Sequence, residues 1–119
     1  MKPHQKLNVW VNSFKFVKTL YETTNTFPAE EKFGLTSQIR RAAVSVPVNI
    51  AEGSARKGKK EFIQFLYISL GSLTELDTLI LLSCDLGFIS GDKTTLLINE
   101  MDSIGKMIYG LIKKLEGEM

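Results

Sequence analysis

The residues best equipped for chemistry are four cations within five positions, Arg56, Lys57, Lys59 and Lys60, in the stretch EGSARKGKK. Guanidinium and ammonium groups at this density can hold phosphate oxygens, and they also complement the negative end of a helix that stops just before them. Other chemistries have little material. The one histidine, His4, lies near the N-terminus, so neither a histidine-based triad nor a multi-histidine metal site can be assembled. The carboxylate pairs Glu30/Glu31 and Glu75/Asp77 lack a catalytic context, and no P-loop or dinucleotide-type glycine motif is present. Cys84 is the only cysteine, which excludes an intrachain disulfide and fits a reducing compartment. No cofactor is expected.

A second polar set lies just upstream. With residues placed at 100° intervals, Gln38, Arg41, Ser45, Asn49, Glu52 and Arg56 form a stripe within about 80° of arc. This stripe borders the apolar positions Leu35, Ile39, Ala42, Val46 and Ile50, so its members can bond across a helix or subunit contact as well as to water. A buried Arg41 or Glu52 would need a partner, because an unpaired buried charge is costly. Arg40 falls about 100° away, on the outside, and joins the turn cations as a candidate phosphate contact, with Lys15 and Lys18 as further candidates.

Four helices must position these residues. In the first, from Leu7 to about Thr24, Trp10, Phe14, Val17 and Tyr21 recur at helical spacing and are expected to face the core. Pro28 ends that helix, and Thr36 or Ser37 can cap the second. Pro47 predicts a kink within the second helix, since periodicity continues beyond it to Ile50. The third, about Lys60 to Leu86, is the most apolar: Phe62, Leu66, Ser69, Leu73, Leu76, Ile80 and Ser83 form one stripe, and Phe65, Leu79, Leu82 and Leu86 widen it. That width predicts burial on more than one side. Gly87 stops it, Ser90 or Asp92 starts the fourth, and Leu97, Met101, Ile104, Ile108, Leu111 and Leu115 make the last seam.

The economical solution is all-α: an antiparallel up-down four-helix bundle, kinked at Pro47, in a single domain over residues 1–119. The longest apolar run, Leu79 to Leu82, is too short for a bilayer, and the N-terminus lacks a secretory h-region, so a cytoplasmic protein without membrane partners is expected. The formal charge of +2 is unevenly spread. Residues 1–60 carry eleven Lys/Arg against four Asp/Glu, giving +7, and residues 61–119 carry four against nine, giving −5. Such asymmetry suits an anionic partner, or pairing of basic and acidic helices within or between chains. Glu75 and Asp77 are the carboxylates placed to meet basic groups of the second helix.

The segment FPAEEKFGLTSQIRRAAVSVPVNIAEGSAR, with Val9–Trp10 before it and FIQFLYISLGSLTEL after it, resembles the 23S rRNA intervening-sequence proteins, also called four-helix-bundle proteins. These in turn are similar to the accessory variability protein of diversity-generating retroelements. The resemblance implies a bacterial four-helix bundle that assembles into a ring-like homopentamer. For the retroelement relative it also implies a basic surface for nucleic acid and work with a reverse transcriptase. It places Gln38, Arg40, Arg41, Asn49, Glu52 and Gly53 at characteristic positions. Two function classes follow: a non-catalytic, homo-oligomeric binder of RNA or DNA, or a scaffold that docks a protein partner without nucleic-acid affinity.

Overall fold

A computed structural model describes residues 1–119. A 3₁₀ turn at Pro3–Lys6 leads into α1 (Asn8–Thr24), and a second at Ala29–Glu31 precedes α2 (Leu35–Ser54). The longer helices α3 (Lys59–Asp85) and α4 (Gly91–Gly117) complete the chain, and no strand forms. Each helix packs beside the next, α1 also touches α4, and the diagonal pairs do not meet. The result is an up-down antiparallel bundle, 46 × 22 × 22 Å.

Local chemistry explains the boundaries. Ser90 Oγ accepts from the Lys93 amide at 3.1 Å, capping α4. At the end of α3, Gly87 has φ +82°, and the Phe88 and Gly87 amides donate to the Ser83 and Cys84 carbonyls, a Schellman stop that needs the left-handed residue. The start of α2 differs from the sequence expectation. Gly34 is its N-cap and the Glu31 carboxylate accepts from the Leu35 amide at 3.1 Å, while Thr36, two positions past the cap, is buried inside the helix. Pro47 is also buried, and α2 continues through it.

The core draws on all four helices, with Leu20, Ile39, Ile50, Leu66, Leu76, Ile80, Leu97, Ile108 and Ile112 among its least accessible side chains. The stripes of α2 and α3 face it as expected. In α4 the deepest late position is Ile112, with Leu111 half-buried beside it. The expectation for α1 is overturned: Val9, Ser13, Phe16, Leu20 and Thr24 face the core. Phe14 and Tyr21 lie outside, and Trp10 and Val17 are half-buried. Ser13 and Thr24 are tolerated inside because their hydroxyls donate to the Trp10 and Leu20 carbonyls one turn back. On α3, Leu82 and Leu86 are exposed within the chain rather than buried.

The tightest helix pair is α2 with α3, and small residues line it. Ser69 Oγ, fully buried, donates to the Val46 carbonyl at 2.9 Å. Ser45 and Ser72 share a hydroxyl hydrogen bond at 2.7 Å. A Cβ on Gly53 would lie 2.7 Å from Phe65 Cβ and 2.9 Å from Phe62 Cδ1, so only glycine lets the helices meet here.

Candidate nucleic-acid interface

Antiparallel order brings both chain termini and the α2–α3 turn to one end of the bundle. The Lys59 ammonium makes this junction directly, 3.0 Å from Glu118 Oε1 in an exposed ion pair. Arg56 lies 3.9 Å from the Glu61 carboxylate and spreads over the Phe65 ring at 4.8 Å. Lys57 and Lys60 are exposed and have no carboxylate partner, so their charges face solvent.

The same end collects cations that sequence proximity does not reveal. Lys2 precedes the first 3₁₀ turn and Lys6 ends it, and Lys113 and Lys114 occupy the last turns of α4; all four are exposed. Near the C-terminal end of α4, Lys113 and Lys114 also complement the negative end of the helix dipole. Their convergence with the Arg56–Lys60 turn becomes visible once α4 is known to run antiparallel to α3. Glu61, Glu116 and Glu118 temper the positive field without balancing it.

Arg40 has a different place. Its Nε donates to Thr24 Oγ1 at 2.9 Å, one Nη donates to the Tyr21 carbonyl and Asn25 Oδ1 at 3.2 Å each, and its guanidinium covers the Tyr21 ring at 4.5 Å. This commits it to closing the C-terminal end of α1, which has no basic residue in its own last turn.

The neighbouring polar stripe splits. Asn49 donates to the Ser45 carbonyl and hydroxyl, and Ser45 in turn meets Ser72, giving a small α2–α3 network. The side chains of Gln38, Arg41 and Glu52 are exposed and have no hydrogen-bond or ion-pair partner in the chain. Glu75 and Asp77 make no ion pair with α2, contrary to expectation. The only two ion pairs sit at the basic end, so most of the asymmetry between the halves remains unpaired within one chain.

The displaced aromatic stripe of α1 makes a second surface feature. Trp10 and Phe14 stack with centroids 4.9 Å apart, and with Tyr21, Val44, Pro47 and Val48 they line an apolar groove of about 710 Å³ between α1 and α2. His4 packs edge-on against Trp10 at 5.0 Å. Lys18 is the one Lys or Arg in the groove lining.

An all-helical up-down bundle with charge gathered at one end and an apolar groove along its side defines a four-helix-bundle protein. Residues 5–110 match the model of the 23S rRNA-intervening sequence protein family, and the chain belongs to that family. Among solved structures, a protein of unknown function from the S23 ribosomal protein family of Bacteroides thetaiotaomicron is similar. It has a TM-score of 0.82 and 24% sequence identity, over 88% of this chain and 95% of that one. At this identity the likeness establishes the shared fold. No curated protein sequence matches.

Proposed function

We infer that this is a non-catalytic, homo-oligomeric protein whose basic end binds the phosphate backbone of RNA or DNA. The observation that carries the reading is the convergence of Lys2, Lys6, the Arg56–Lys60 turn, Lys113 and Lys114 at one end of the bundle, with Lys57 and Lys60 unpaired. Exposed, flexible cations with no base-reading element favour contact with phosphates over recognition of sequence. A single patch of this size binds weakly, and repetition around an assembly, five-fold by the family resemblance, raises the affinity through avidity. The family name itself points to ribosomal RNA inserts as the place of some of the genes and leaves the nucleic acid open. In this reading Arg40 serves the fold and does not touch phosphate.

Fluorescence anisotropy with labelled RNA and DNA at several salt concentrations tests it. The wild type should bind at low salt, and changing Arg56, Lys57, Lys59 and Lys60 to Ala should abolish binding while leaving helix content intact. Absence of binding at low salt, or binding unaffected by the fourfold change, overturns the reading. The competing scaffold reading draws on the unpaired Arg41 and Glu52 and predicts defined oligomers without nucleic-acid affinity.

A further inference from the structure

Two surfaces outside the basic end remain apolar and unpartnered, and they differ in charge. The first is the outward face of α3, where Tyr67, Ile68 and Leu82 are 50, 50 and 44% exposed on the side of Gly71, which has open space beside it. From Glu61 to Asp85 this helix carries Glu61, Glu75, Asp77 and Asp85 and no Lys or Arg at all. By length and composition it is apolar enough to cross a membrane, and only one face of it is used by the core. The second surface is the α1–α2 groove, rimmed by Phe14 at 58%, Val44 at 37% and Val48 at 44% exposure. Its flanking charges are basic: Lys18 on the lining, with exposed Arg41 beside it on α2, next to Tyr21 and Val44.

Solvated helix faces normally carry charges of both signs, and exposed large apolar side chains gathered on one face mark contact sites. The geometry points to a pairing of these two unlike faces: the α1–α2 groove of one copy takes up the outward face of α3 of a second copy. Apolar side chains fill the groove. Glu75 and Asp85, exposed and at helical spacing on the Gly71 side of α3, supply the anions that Lys18 and Arg41 lack within their own chain. The charge imbalance between the two halves, unpaired inside the monomer, is thereby paired between copies. Because the faces differ, the contact repeats from copy to copy and leaves the basic end uncovered. A nucleic-acid strand fits the groove less well, since Val44, Pro47, Val48 and Ala51 line it and a single Lys offers a phosphate contact.

This pairing rests on the homo-oligomeric part of the reading above and is independent of nucleic-acid binding. Sedimentation equilibrium of the full chain tests it with Phe14→Glu in the groove and Ile68→Lys on α3. Val48→Glu and Leu82→Lys serve as second variants at half-exposed sites should either of the first fail to fold. The wild type should show a multiple of the 13.4 kDa chain mass. Each variant, with wild-type helical circular dichroism, should fall to a single chain, and an equimolar mixture should restore a two-chain species. Restoration is expected because the groove variant keeps its α3 face and the α3 variant keeps its groove. A variant that retains the wild-type mass, a mixture that stays monomeric, or a groove variant that loses only nucleic-acid binding overturns the pairing. A monomeric wild type overturns the oligomeric reading itself.

Discussion

The Arg40 guanidinium on α2 donates from Nε to Thr24 Oγ1 at 2.9 Å, tying the last turn of α1 to the first half of the helix that follows the loop. Thr24 Oγ1 itself donates to the Leu20 carbonyl at 2.8 Å, so the contact continues into the buried backbone of α1. The loop between them, from Asn25 to Gly34, contains a proline and a 3₁₀ turn and has few apolar anchors beyond Phe27, which is buried and meets Phe88 at 5.5 Å. Arg40 therefore ties the C-terminal end of α1 to α2 beside Tyr21, a residue of the aromatic groove.

Replacing Arg40 by Ala removes three hydrogen bonds from a charged donor and the cover over Tyr21. With the site half exposed, the expected loss is about 1–2 kcal/mol, seen as a lower urea midpoint with an unchanged slope. Arg40→Lys should recover only part of it, because an ammonium cannot reproduce the planar fork. Nucleic-acid affinity should stay at the wild-type level. Weaker binding at wild-type stability would return Arg40 to the phosphate-binding residues.

Gly53 and Gly110 should respond in opposite directions to the same substitution. Alanine in a helix is favoured over glycine by about 1 kcal/mol, and at Gly110 nothing within 4 Å opposes the new methyl. Gly110→Ala should therefore stabilise by up to about 1 kcal/mol. At Gly53 the methyl meets Phe65 Cβ, which cannot rotate away, and the Phe62 carbonyl at 3.2 Å. Overpacking of this kind costs about 1–3 kcal/mol, so Gly53→Ala should be destabilising on balance. Thermal melts of the two variants side by side check the signs.

Ser69→Ala removes the one buried hydroxyl that reaches across to the α2 backbone, at the Val46 carbonyl beside Pro47. The expected cost is about 1 kcal/mol, the usual net value of such a bond. Chemical denaturation of Ser69→Ala measures it, and a neutral result would assign the tight α2–α3 approach to Gly53 and the Ser45–Ser72 pair.

The apolar stripes of α2 and α3, the Gly87 stop and the Ser90 cap were legible from periodicity and turn chemistry because each depends on local sequence alone. α1 was not. It carries two adjacent stripes of the same period, and side-chain size favoured the aromatic one. The core instead takes Ser13 and Thr24, whose hydroxyls are satisfied by their own helix. Which stripe wins depends on where α2 lies, and that is tertiary information. Arg40 escaped a structural reading for the same reason: its partners, Tyr21, Thr24 and Asn25, lie 15 to 19 residues back, across a loop. The basic turn was visible as a run, whereas its extension to Lys113 and Lys114 required the topology.

That extension can be tested without touching the turn. Lys113 and Lys114 are more than fifty positions from Lys60 in sequence, yet α4 ends where α3 begins, as the Lys59–Glu118 pair shows. If the end of the bundle acts as one phosphate site, changing Lys113 and Lys114 together to Ala should weaken binding as much as changing Lys57 and Lys60. Removing one phosphate-binding cation lowers the magnitude of the log affinity versus log salt slope by about 0.9 on duplex DNA and about 0.7 on single strands. Lys32 and Lys93 are the control pair, since both lie at the opposite end of a molecule 46 Å long. A charge that far away is screened at a Debye length of about 8 Å in physiological salt. Their change to Ala should leave the slope as it is. If the control pair weakens binding as much as Lys113 and Lys114 do, affinity follows net charge rather than place, and the basic end loses its standing as the interface.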